Sequence, residues 1–159
     1  MKKTTRETIG AFIIISVAYI ASYTLVAGFI APLQELILPT FTTSISLLFL
    51  PHGIRILAAY YYGWKALPLL LPSMYLMWFI TVYANNISLH PLSPLFSGIA
   101  CIIAVKFVFK NIKHIIEKEW KLLLLAGLIG SFLNGLSHSF LIYKSFLTIS
   151  FIGYTIGDI

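Results

Sequence analysis

The chain has 159 residues, of which 59% are hydrophobic and only 10% charged, with a formal net charge of +6. A soluble domain carries about 25% charged residues, so a water-covered surface is excluded, and residues 1–159 are expected to form a single integral membrane domain. The basic residues fall between apolar runs, which suits orientation in a bilayer and not a nucleic-acid footprint.

A helix needs roughly 20 apolar residues to cross the hydrocarbon core. The predicted fold is accordingly all-α, a polytopic transmembrane helical bundle of about six spans, the second broken and the last truncated. The opening "MKKTTRETIG" leads into a first span over about Ile9–Ile30, whose apolar run is too long for a signal-peptide core. Pro32 and Pro39 bracket a short connector carrying Glu35. The second span, about Thr40–Tyr62, is interrupted at Pro51-His52-Gly53, and the third covers about Trp64–Tyr83. The loop "ANNISLHPLSP" precedes a fourth span over about Leu95–Phe109. The stretch "KNIKHIIEKEWK" reads either as a short amphipathic helix on the inner leaflet or as a solvated connector. A fifth span covers about Leu122–Tyr143, and "SFLTISFIGYTIGDI" supplies about three-quarters of another, so either a longer parent protein or an unusual terminal half-span is expected.

Charge sets the expected sidedness. Lys2, Lys3, Arg6, Lys65 and the lysines from Lys106 to Lys121 fall at alternate turns, whereas the opposite turns hold Glu35, His90 and Lys144. The positive-inside rule then places the N-terminus, Lys65 and the long basic loop in the cytoplasm. Tyr60, Tyr61, Tyr62 and Trp64 beside Lys65 read as an interfacial aromatic belt.

Chemistry is expected where polar residues enter apolar runs. Pro51 and Gly53 predict a helix break, with His52 and Arg55 beside it. A broken helix presents unpaired N–H groups and a partial positive charge, a seat for an anionic ligand. Asp158 lies at a similar predicted depth to Arg55, so the two either form an ion pair or line one site. Gly127, Ser131, Gly135 and Ser139 recur every fourth residue, a ladder of small residues that admits a close helix neighbour. Asn134 and His138 form an adjacent stripe, serving interhelical hydrogen bonds or completing a pocket with His52 and Arg55. The lone cysteine, Cys101, allows no intrachain disulfide and reads as a small apolar filler. No paired carboxylates, phosphate loop or metal-ligand spacing is visible, so neither enzyme activity nor a cofactor or metal is expected.

Pro51, Gly53, Gly63, Lys65 and Pro68, with Gly157-Asp158, resemble the membrane-associated sensor domain found N-terminal to bacterial histidine kinases and diguanylate cyclases. The likeness runs from about Phe49 onward. The chain departs from that pattern in having Leu50 before Pro51, and His52 and Arg55 where small or apolar residues are usual. The resemblance implies a bacterial inner-membrane sensory module that binds a small ligand within the bundle and passes a helix rearrangement to a cytoplasmic output domain or partner. The alternative is a small transporter subunit, such as the substrate-binding component of an energy-coupled vitamin importer.

Overall fold

The computed structural model describes residues 2–37, 50–85, 89–110 and 119–139, and these are helical apart from short turns. Helix α1 spans Lys2–Leu25, passes through a π-helical turn at Val26–Ile30 and continues as α2, Ala31–Ile37. Helices α3 (Leu50–Tyr62) and α4 (Ala66–Asn85) are joined by a single 3-10 turn at Gly63–Lys65. Helices α5 (Ser93–Phe109) and α6 (Glu119–Ser137) complete the described elements.

Six spans is not what these helices support. Three stretches are long and apolar enough to cross a membrane: Thr5–Ile37, Leu50–Ala84 and Trp120–Ser137. At 1.5 Å per residue, the 17 residues of α5 reach about 26 Å, short of a hydrocarbon core of about 30 Å. The expected last span and the first half of the second, Thr40–Phe49, lie outside the described residues.

The expected break at Pro51-Gly53 is not seen within the described part of the second span, Leu50–Tyr62. Pro51 and Gly53 lie within α3, which is continuous from Leu50 to Tyr62, and the residues before Leu50 lie outside the described ones. The expected stop at Pro32 does not occur either. The N–H of Ala31 bonds back to the carbonyl of Val26, five residues earlier, so a wider turn immediately precedes the proline. Such a bulge gives a proline ring room that a regular turn denies it.

The real punctuation is Gly63. Its φ of 54° ends α3 in the left-handed region that glycine enters without strain. Beyond it α4 turns back along α3. Two contacts fix α3 and α5 as parallel neighbours: His52 meets Cys101, and eight residues later Tyr60 stacks on Phe109 at 4.9 Å. The Tyr23 hydroxyl lies 2.7 Å from that of Thr81. The buried residues of α1 (Ala11, Ile15, Tyr19) and of α4 (Leu70, Met74, Met77) both precede that rung, so these helices are parallel too. Arg6, Lys65, Lys106, Lys110 and Lys121 are thereby gathered at one end of the bundle, while Glu35 and His90 belong to the other.

The core is a column of small and aliphatic side chains that includes Ala58, Ala59, Leu70, Cys101, Ile102 and Ala126. The outside is apolar as well: Ile13, Ile14, Val17, Phe29, Phe79, Phe107 and Leu124 are all exposed. Hydrophobic residues on both faces are the pattern of helices whose solvent is lipid. The chain is therefore a membrane-embedded helical domain.

Candidate functional site

Polar groups in such a core need partners, because no water is present to satisfy them. Two clusters meet this demand, both built between α3, α5 and α6. They lie about 14–20 Å along α5 from its basic end, counted as the rise from Lys110 to Cys101 and Ser97. That is close to mid-membrane for a core of about 30 Å.

The first cluster centres on His52, which is 2% exposed. Its Nε2 lies 3.1 Å from the carbonyl oxygen of Gly127 and 3.3 Å from the Ser131 hydroxyl. That hydroxyl itself donates to the Gly127 carbonyl at 2.9 Å. A carbonyl only accepts, so Nε2 carries the ring proton and donates. Nδ1 then accepts from the Cys101 thiol at 3.8 Å. The ring is engaged on both edges, and it ties the start of α3 to the middles of α5 and α6. Gly130 lets α6 come this close: a Cβ there would stand 3.3 Å from His52 Cε1 and 3.2 Å from Ile56 Cδ1.

The second cluster centres on Arg55, also 2% exposed. Its guanidinium donates through Nη1 to the Ser97 hydroxyl. Ser97 in turn donates to Asn134 Oδ1 at 2.6 Å. One hydroxyl thus relays between a cation on α3 and an amide on α6. One turn further along α6, His138 Nδ1 donates to the Asn134 backbone carbonyl at 3.0 Å. Ser139 follows, buried and with its hydroxyl unpartnered among the described residues. An arginine is charged at any accessible pH, so α3 brings a fixed cation into a low-dielectric setting.

Four of the five predicted ligand residues, His52, Arg55, Asn134 and His138, are therefore buried and assigned to these clusters. Asp158, the fifth, lies outside the described residues, as does Gly157. Among the described residues, His52 faces Cys101 and Ser131, whereas Arg55 faces Ser97. Gly53 lines neither cluster; it is exposed, with nothing within 4 Å of a Cβ built on it. Sequence reasoning passed over Ser97, although Ser97-Gly98 inside an apolar run is the same kind of signal that singled out Asn134. Cys101, read as filler, is the thiol partner of His52.

The small-residue ladder is consumed within the chain. Ser131, Gly135 and Ser139 are all buried. Helix α6 packs most extensively on α5, which offers its own small residues, Ser97, Ala100, Cys101 and Ala104. Close approach of two small-residue faces is the usual way membrane helices gain contact. No group of three or more His, Cys, Asp or Glu side chains that would hold a metal ion occurs among the described residues. The chain matches no protein-family model, no curated protein and no solved structure.

Proposed function

We propose that this chain is a membrane-embedded sensory input module that binds a small anionic ligand beside Arg55 and passes the resulting helix shift to a cytoplasmic partner or output domain. The observation that carries the reading is the Arg55–Ser97–Asn134 relay. It places a permanent cation at mid-bundle and joins three helices through one hydroxyl. Intramembrane ionisable residues most often mark ligand or ion sites. An anion that bonds the guanidinium displaces Ser97 from it, which frees α5 to move relative to α3. Such a shift requires only that the anion prefer one helix arrangement over the other. The sequence resemblance to bacterial sensor domains points the same way, and the positive-inside rule places the basic end in the cytoplasm. On this reading the chain is not itself an enzyme.

The test is a thermal-shift screen of small carboxylates and phosphate esters on the detergent-solubilised protein. A true ligand at a hundred times its dissociation constant stabilises by about 2.7 kcal/mol. Protection is expected to vanish in Arg55→Gln while Arg55→Lys retains part of it. A hit that protects Arg55→Gln fully would remove Arg55 from the site. Accumulation of the hit inside cells would instead favour the importer reading.

A further inference from the structure

A second feature, independent of the Arg55 cluster, lies at the basic end. A cleft of about 490 Å³ opens between the end of α3 and the end of α5. Ala59, Tyr60 and Gly63 form one wall, and Val105, Lys106, Phe109 and Lys110 form the other. Its floor is apolar: Ala59 and Val105 are buried, and Tyr60 stacks on Phe109. Its rim is cationic. Lys106 and Lys110, one helical turn apart, are both exposed, so their ammonium groups stand on one side of the opening. Lys106 Nζ also sits over the Trp64 ring, 5.1 Å from its centroid. That contact holds the lysine near the cleft, beside a half-exposed indole of the interfacial kind. Among the described residues, no acidic side chain lines the cleft.

We propose that this cleft is a binding site for the phosphodiester headgroup of an anionic phospholipid. Lys106 and Lys110 would hold the phosphate, and an acyl chain would leave along the apolar wall. Three observations select a lipid over other anions. The site lies on a chain whose exterior is apolar and lipid-facing. It lies at the level of Trp64 and Lys65, where headgroups meet the bundle. It combines paired cations with an apolar floor, and a free anion has no use for the floor. Basic pockets between membrane helices are the usual setting for such headgroup contacts. The occupied cleft would clamp α5 to the α3–α4 turn.

The test uses the whole chain in a neutral detergent, titrated with phosphatidylglycerol and, separately, with phosphatidylcholine. Native mass spectrometry counts bound lipid, and thermal unfolding reads the stabilisation. Phosphatidylglycerol is expected to bind at one site and to raise Tm by about 5 °C, with phosphatidylcholine inert. Lys106→Gln/Lys110→Gln is expected to weaken binding roughly thirtyfold, from about 1 kcal/mol per lysine near a membrane surface. Lys106→Arg/Lys110→Arg is expected to restore it. Arg6→Gln/Lys121→Gln, which removes two charges at the same end but outside the cleft, is expected to leave it unchanged. Equal losses in the two glutamine pairs would reduce the effect to a diffuse basic surface and overturn the proposal. Inorganic phosphate alone giving the same Tm rise would overturn the lipid assignment in favour of a free-anion site. Both lysines are exposed, so the variants are expected to fold, which circular dichroism checks. Failure here leaves the reading of Arg55 untouched.

Discussion

Gly130→Ala tests the close approach of α6 to α3 at the His52 cluster. The added methyl would meet Ile56 Cδ1 at 3.2 Å, His52 Cε1 at 3.3 Å and His52 Nε2 at 3.4 Å. The isoleucine tip can rotate away. The imidazole cannot, because it is held by the Gly127 carbonyl, Ser131 and Cys101. Helix α6 must therefore back away or the ring must leave its partners. Overpacking of this kind costs about 1–3 kcal/mol. The helix-propensity gain of about 1 kcal/mol from replacing glycine shrinks here, because a membrane helix stays largely helical when the bundle comes apart. The net expectation is a loss of about 1–2 kcal/mol, or about 3–6 °C in Tm for a chain of this size. Gly127→Ala is the internal control. It lies on the same helix one turn earlier, keeps the carbonyl that His52 uses, and meets nothing within 4 Å. It is expected to fall within about 0.5 kcal/mol of the parent. The assay is thermal unfolding followed by a dye that fluoresces on reaching the Cys101 thiol, which is fully buried in the folded protein. If Gly130→Ala melts with or above Gly127→Ala, the His52 docking described here is wrong.

Three further outcomes are expected. Ser97→Ala removes the hydroxyl between Arg55 and Asn134 and is expected to cost about 1–3 kcal/mol. Ser73→Ala, whose hydroxyl bonds only back to the Leu70 carbonyl in the same helix, is expected to cost less than about 0.5 kcal/mol; equal melting of the two variants would dismiss the relay. His52→Ala is expected to destabilise by about 2–4 kcal/mol and to raise the rate of maleimide labelling at Cys101 at least about tenfold, measured in native membranes. Unchanged labelling would mean that the imidazole does not cover the thiol. Gly53→Ala is expected to be tolerated, with a change within about 0.5 kcal/mol, because the residue is helical and unobstructed. A loss of stability or of membrane expression there would revive the broken-helix reading.

Composition settled the class of this protein. With 59% hydrophobic and 10% charged residues, no folding of the chain can produce a water-compatible surface, and every buried backbone group must be satisfied inside a helix. The gathering of basic residues at one end was legible too, because charge alternation along the chain survives any packing of hairpin-like helices. Lengths were less legible. Hydropathy is continuous across Leu50–Ala84, so only the positive φ of Gly63 marks where one helix stops. Proline was a misleading sign at Pro32, because its effect depends on whether the helix widens before it. The polar residues themselves stood out one by one, but their partners did not. Whether His52 meets Cys101, or Arg55 meets Ser97, depends on the rotation and register of α3 against α5. Those are fixed by the sum of many small-residue contacts along three helices, a quantity that no local stretch of sequence contains.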